Sequence, residues 1–276
     1  MSGTLYVVAT PIGNLEDVSL RALRILREVS LIAAEDTRRT GRLLQHYSIS
    51  TRTTSLHAHN EREKTPRLIA DLLGGASVAL VSDAGTPLIS DPGLALVHAA
   101  RQAGIRVEPI PGPSAVTALL SVAGFADREC CFFGFPPSGP TDRKLWLERL
   151  AAQQNPSVFF EAPHRIARTI GDLTNIAGIG RTVAVGRELT KAHEEVVICP
   201  IEQVLGRLSS MKGEFTVALA PESSKRVTAV TVSKEALADE IGREIQNGAP
   251  SKRDAVKRVA ERYGLAPNDV YKRVRD

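Results

Sequence analysis

The sequence is short of several things, and each shortage removes a class of protein. Its three cysteines, Cys130, Cys131 and Cys199, offer neither a C-x-x-C spacing nor a histidine partner at metal-ligand distance. That excludes a disulfide scaffold or zinc module, and all three read as small buried hydrophobes in a reducing compartment. No apolar run approaches the ~18 residues of a membrane span. The amino-terminal MSGTLYVVATPIG lacks the basic region and apolar segment of a secretory signal, so a cytoplasmic protein with no membrane partner is expected. Nucleotide-binding glycines are missing too. ATPIGN, after the first apolar run, has one glycine, Gly13, and a proline where the tight turn of a dinucleotide site should be.

What is present suits a globular protein with ample core: of 276 residues, 43% are apolar and 24% charged, enough for one large domain or two ordinary ones. The formal charge of +4 is unevenly placed. Residues 1–222 hold 23 basic and 23 acidic side chains, whereas 250–276 hold eight basic and four acidic. A local basic module fits a polyanionic partner, and a solvated helical tail would carry the same charge.

Short apolar runs alternate with helical patterns in the first part of the chain. LYVVA (5–9), LIAA (31–34), VALVS (78–82) and RVEPI (106–110) end in turn or polar residues, and Ala22, Ile25, Leu26 and Val29 follow helical spacing. This alternation predicts a parallel sheet covered on both faces, with ligands beyond the carboxyl ends of its strands. ATPIGN, AAEDTR, VSDAGTP and PIPGPS all fall at that edge. After Gly124 come CCFFGF (130–135), VFFEA (158–162), TVAVGRE (182–188), EEVVIC (194–199) and EFTVALA (214–220), with helical stretches around Trp146 and Ile166. Their close spacing predicts a mixed or antiparallel sheet. The expected organisation is an α/β domain over 1–114, a second over 115–222, and a small helical module over 223–276. In that module Leu237, Ile241 and Ile245 mark one helix, and Val256, Val259, Ala260 and Tyr263 another. With Gly264 and the helical NDVYKRV they give a helix-turn-helix cadence.

VSDAGTPLISDPG (81–93) spends thirteen residues on two aspartates, two glycines and two prolines. Gly85 and Gly93 permit positive φ and close approach, while Pro87 and Pro92 stiffen the exits. Such a loop can bind a zwitterion through backbone groups. PIPGPSAV then ends a strand and opens a helix, where free N–H groups suit a carboxylate.

At this point a resemblance is specific. LYVVATPIGNLEDVSLRAL, AAEDTRRTGRLL, SLHAHNE, ALVSDAGTPLISDPG, PIPGPSAVTALL, FFGFPP, VFFEAPHRI and VGRELTKAHEE resemble, in order, the bacterial ribosomal RNA small-subunit methyltransferase I family. That family is a branch of the tetrapyrrole-methylase (class III) S-adenosylmethionine enzymes. The resemblance implies two α/β domains with S-adenosyl-L-methionine in the cleft between them, in a homodimer. It implies methyl transfer to the ribose 2′-hydroxyl of a decoding-centre cytidine (position 1402) of 16S rRNA, within the small ribosomal subunit. Matched by motif, cofactor contacts fall at Pro11, Ala84, Gly85, Thr86, Ile89, Ser114 and Ala115, and in the second domain near Glu161 and Leu189.

Methyl transfer from a sulfonium needs alignment and no metal, and a base can assist it. Glu35 and Asp36 end the second strand at the site edge. By motif Glu35 falls where related tetrapyrrole methylases place a proton acceptor, and Asp36 is equally suited to cap the next helix. His57, His59 and Asn60 could orient the base or the ribose, with His57 the catalytic candidate, or could simply bond to loop backbone. Arg38, Arg39 and Arg42, with Lys252, Arg253, Lys257, Lys272 and Arg273 of the tail, are the candidate RNA contacts. Glu188 and Lys191 sit at the matching edge of the second domain without an assigned role. Two rival functions remain: carbon methylation of a tetrapyrrole, and a non-enzymatic ligand-sensing regulator that binds nucleic acid through its tail.

Overall fold

The computed structural model describes residues 2–125, 129–221, 234–246, 251–263, 270, 271 and 274. The chain forms two compact units, Met1–Glu222 and Ser223–Asp276.

The first unit begins with β1 (Thr4–Val8), α1 (Leu20–Glu28), β2 (Leu31–Ala34), α2 (Thr37–His46), β3 (Thr53–Ser55), α3 (Glu61–Leu73), β4 (Val78–Val81), α4 (Leu94–Gln102) and β5 (Arg106–Ile110). Its five strands form one sheet in the order β3-β2-β4-β1-β5, and every pairing is parallel. Period-two alternation sends Ile32, Ala34, Ala79 and Val81 to a core with Leu23, Leu26 and Leu44 of α1 and α2. Leu5, Val78 and Leu80 point to the other face, against Leu68 and Leu72 of α3 and Leu96 of α4. All four residues of β4 are buried, as a central parallel strand requires. Pro109 is accommodated because β5 is an edge. Ser19 caps α1 by accepting the Ala22 N–H at 3.1 Å.

The second sheet has the order β6-β7-β10-β8-β9, from β6 (Cys131–Phe132), β7 (Ser157–Glu161), β8 (Thr182–Arg187), β9 (Glu195–Pro200) and β10 (Phe215–Leu219). β6 and β7 are parallel and the other pairings antiparallel, so the sheet is mixed. On one face α6 (Pro140–Ala151), α7 (Ile166–Ala177) and α8 (Val204–Arg207) build a core around Phe159, Leu150, Leu173 and Val204. On the other, α5 (Ala115–Ala123) lays Leu119 and Ala123 on Val158, Ala184 and Ala218.

Two expectations need correction. CCFFGF yields a strand of only two residues, Cys131–Phe132, with backbone bonds to β7 running on as far as Gly134, whose φ of 65° breaks the extended chain. Of the cysteines, only Cys199 is buried; Cys130 is exposed and Cys131 half-buried.

The second unit contains α9 (Lys234–Gln246) and α10 (Lys252–Tyr263). Leu237 and Ile241 pack on Ala255, Val256, Val259, Ala260 and Val270, giving the unit its own core. Gly264 and most of NDVYKRV lie outside the described residues, so the helix-turn-helix cadence is described only in its first two helices. Among the described residues no helix is long and apolar enough to cross a membrane.

Candidate active site

The loops at the carboxyl edge of the first sheet are tied to each other. Thr10, after β1, and Gly85, after β4, exchange backbone hydrogen bonds of 2.9 and 3.0 Å. The segment after β4 is bent by four left-handed residues: Gly85, Leu88, Ser90 and Gly93, with φ of 79°, 73°, 71° and 118°. Gly93 is required by its φ of 118°, and a Cβ there would also press on Leu80 Cδ2 at 2.7 Å. Leu88 and Ser90 carry real strain, of order 1–3 kcal/mol each. Glu61 steadies the loop by accepting the Gly93 and Ala95 N–H groups at 3.1 and 2.6 Å, capping α4 from α3.

These loops face the second sheet across a cavity of about 390 Å³. Ile12, Ile89 and Ala115 on one side and Phe135, Phe160 and Phe215 on the other make its walls largely apolar. Phe160 contacts both Phe132 and Phe135, with ring centroids 5.0 and 5.4 Å apart. Against these walls stand the carboxylates of Glu35, Asp83, Asp91 and Glu214. Burial pushes the Glu35 carboxyl up, partly opposed by the Asp83 N–H that donates to its Oε2 at 3.2 Å. Burial likewise pushes Asp91 up to about 6, with the Glu35 and Asp83 charges adding to the effect. Asp83 accepts the Asp36 N–H at Oδ1 (3.0 Å) and lies 3.4 Å from Arg39 Nη1 at Oδ2. Among the described residues no group of three or more His, Cys, Asp or Glu is arranged to hold a metal ion.

Residues 4–205 match the family model for Tetrapyrrole (Corrin/Porphyrin) Methylases. The chain is similar to a ribosomal RNA small subunit methyltransferase I from Xylella fastidiosa (strain Temecula1), 49% identical over 83% of this chain and 85% of the relative. It is similar to the protein of that name from Escherichia coli O157:H7, 40% identical over 98% of this chain and 94% of the relative. The chain belongs to the ribosomal RNA small subunit methyltransferase I family. Among solved structures, uroporphyrin-III-C-methyltransferase from Thermus thermophilus has the same fold, with a TM-score of 0.59 at 20% identity over 80% of this chain and 95% of the other. A second structure of a Thermus thermophilus uroporphyrin-III C-methyltransferase, complexed with S-adenyl homocysteine, has a TM-score of 0.57 at 17% identity, over 78% and 97% of the two chains.

In this member of the methyltransferase I family, Ala84, Gly85, Thr86, Ile89, Ser114, Ala115 and Glu161 all line the cavity, as does Glu35. Gly85 meets it with its backbone polar groups already paired to Thr10, so they are not its means of holding a ligand. The Glu161 carboxylate is turned inward. It accepts the Ala162 N–H at 2.8 Å and the Thr169 hydroxyl, and lies 3.8 Å from Arg143 and 3.6 Å from Arg165. Leu189 packs with α5 in the second core and does not line the cavity. Pro11 borders a neighbouring basin.

His57 is not on the cavity wall. Its N–H bonds to Asn60 Oδ1 at 2.8 Å and its Nε2 lies 3.1 Å from Asn60 Nδ2, while the buried Nδ1 has no partner. Asp36 caps α2 by accepting the Arg38 N–H at 2.8 Å, and the Arg38 side chain holds its carboxyl well below the usual carboxylate range. Arg38 is thereby folded back, whereas Arg39 and Arg42 border the neighbouring basin. Lys252, Arg253 and Lys257 are exposed on α10; Lys272 and Arg273 lie outside the described residues.

Asp91, Phe135 and Phe160 are site residues that sequence reasoning left without a role. The two aspartates of one stiff loop, at the same edge as Glu35, were the available signal for Asp91. The aromatics read as ordinary strand residues.

Proposed function

We propose that this chain transfers a methyl group from S-adenosyl-L-methionine to the ribose 2′-hydroxyl of a cytidine in 16S rRNA. The coarser reading, a small-subunit rRNA methyltransferase, follows from family membership. The finer reading is supported by Glu35, a half-buried carboxylate placed to take a hydroxyl proton at the edge of a cavity whose apolar and aromatic walls and carboxylates suit a sulfonium cofactor. The residues present therefore fit the cofactor. When bound, it supplies an electrophilic methyl group that needs no further activation.

The protein's own contribution is alignment and proton removal. Holding the ribose oxygen in line with the methyl carbon lowers the barrier by roughly 7–11 kcal/mol. Glu35, half-buried and raised in pKa, accepts the hydroxyl proton and adds about 10²–10⁴-fold. Asp83 fixes Glu35 through its N–H, and the α2 amino end fixes Asp83. The His57 ring acts through Asn60, whose Nδ2 lies 3.1 Å from its Nε2, by holding the loop before α3, a positioning role. The partners proposed are the small ribosomal subunit and a second copy of the chain, in the cytoplasm.

The test is single-turnover methyl transfer from labelled cofactor to purified small subunits that lack the modification. Alkaline hydrolysis of the product should leave one phosphodiester uncut, because a 2′-O-methyl group blocks the attack that cleaves RNA. A methyl group on the base would refute the ribose assignment. Transfer to a tetrapyrrole carbon, or cofactor binding without turnover, would favour one of the two rivals.

A further inference from the structure

A second basin of about 380 Å³ adjoins the cavity, sharing Arg39, Asp83 and Glu214 with it. The second basin has a lining of its own in Pro11, Thr40, Arg42, Ser82 and Lys191. The character changes across the shared wall. On the cavity side the titratable groups are mostly carboxylates, Glu35, Asp83 and Asp91. On the basin side three cations, Arg39 and Arg42 from α2 and Lys191 from the turn after β8, outnumber the two shared carboxylates, Asp83 and Glu214. We infer that this basin is the subsite for an RNA phosphodiester next to the target ribose, with Arg39, Arg42 and Lys191 as its ligands. The inference rests on the proposed function and deepens it.

Lys191 is fixed by construction. Glu188 and Thr190 adopt φ of 51° and 66°, and Glu188 Oε1 accepts the Glu214 N–H at 2.9 Å. Lys191 Nζ donates to Glu188 at 2.9 Å and to Glu214 at 3.0 Å. Burial works against the Lys191 charge, but the Glu188 and Glu214 hydrogen bonds outweigh it, so the ammonium is held charged. The turn reaches the first domain: Asn14 N–H donates to Thr190 Oγ1 at 3.0 Å. Such rigidity places a point charge for a phosphate without ordering a free lysine.

Arg39 and Arg42 complete the chemistry. The Arg39–Asp83 contact of 3.4 Å is long and solvent-facing, so most guanidinium donors stay available. Arg42, one turn further along α2, makes no ion pair among the described residues. A backbone phosphate between Arg42 and Lys191 brings its attached ribose toward the shared wall at Asp83, whose N–H donates to Glu35 at 3.2 Å. Carboxylates outnumber cations around the cavity and cations outnumber carboxylates around the basin, a balance that suits a sulfonium on one side and a polyanion on the other.

The test uses the full chain with Arg42→Gln, Lys191→Gln and Lys191→Arg, on small ribosomal subunits at four salt concentrations. S-adenosyl-L-methionine binding is titrated separately. Each Gln variant should raise the half-saturating subunit concentration about tenfold, as expected for a lost charged hydrogen bond. It should reduce the salt slope by about 0.7–0.9 log units, one phosphate contact, with the cofactor Kd unchanged. Lys191→Arg should recover most of the loss. Arg42→Gln, on an exposed helix face, guards against misfolding in the Lys191 variants. Half-saturation and salt slopes equal to wild type would overturn the subsite, as would a matching loss of cofactor affinity. If the wild-type chain methylates no ribose, the functional reading itself fails and takes this inference with it.

Discussion

Thr10 and Gly85 close a two-bond backbone bridge between the first and third loops of the site. The bridge makes Gly85 a joint of the cavity wall, and its φ of 79° makes the joint specific to glycine. A Cβ would find room, since the nearest atom is the movable Ile12 Cγ2 at 3.3 Å. The obstacle is conformational. Gly85→Val should lose about 1–3 kcal/mol of stability and most cofactor affinity, whereas Gly85→Asn, which tolerates left-handed backbone, should lose less of both. Thermal melting with calorimetric titration of S-adenosyl-L-methionine checks it. Unimpaired affinity in the valine variant would show that this loop does not shape the cofactor cavity.

Glu35→Gln keeps the size of the side chain and removes its basicity. At saturating cofactor, single-turnover transfer should fall by ~10²-fold or more while subunit binding persists and cofactor affinity changes far less than the rate. An unchanged rate at saturating subunits would leave alignment as the whole of the catalysis.

Asp91 should reveal itself through pH. Its folded carboxyl titrates at about 6, above the ordinary 3.8, so the folded chain binds more protons between those values. Its contribution to stability is therefore full below about 4 and lost as pH rises to about 6. A cationic ligand favours the ionised carboxylate, so affinity for S-adenosyl-L-methionine should climb through pH 5–7 and then level. The neutral thioether S-adenosyl-L-homocysteine should show a flatter profile. Titrating both ligands at pH 5, 6 and 8 decides it, and Asp91→Asn should erase the difference.

Such effects mark the boundary of what the sequence made legible. Strand ends rich in Gly, Pro and Asp announced the site edge because backbone geometry is a local property. The parallel sheet was legible from apolar runs alternating with helical patterns, but β3 was not. Thr53–Ser55 is short and polar, and it is a strand only because β2 offers it an edge. The raised Asp91 carboxyl depends on burial and on the Glu35 charge from another strand end, and the Lys191 arrangement joins Glu188 to Glu214. Glu161 shows the same limit from the other side: motif placed it at the cavity, and packing turned its carboxylate away.

Glu161 is accordingly expected to matter for stability. Its side chain is fully buried, and Arg143 beside it is 4% exposed, with Nη1 lacking a hydrogen-bond partner. Glu161→Ala should cost about 1–3 kcal/mol, because it takes the acceptor from the Thr169 hydroxyl and leaves buried Arg143 with Asp172, 3.2 Å from its Nη2, as its remaining counter-charge. Cofactor affinity of the folded fraction should stay near wild type. Denaturant melts and titration below the midpoint separate the two effects.

The last prediction concerns the carboxyl-terminal unit. It carries the chain's whole excess of positive charge and has its own core around Val256 and Val259. Lys252, Arg253 and Lys257 are exposed on α10, so neutralising them leaves that core untouched. If the unit grips the ribosomal particle, the triple Gln variant should bind subunits more weakly at low salt. Its log–log salt slope should be shallower by about 2–3, since each phosphate contact contributes about 0.7–0.9. The rate at saturating subunits should change less than the affinity, because neither the cavity nor its neighbouring basin contains these residues. The competing role is a packing element. In that case deletion of residues 223–276 would lower the melting temperature or the sedimentation mass, and the triple variant would bind along a salt line parallel to wild type. Binding at four salt concentrations therefore separates them: a shallower line assigns the unit to RNA, and parallel lines assign it to the protein's own assembly.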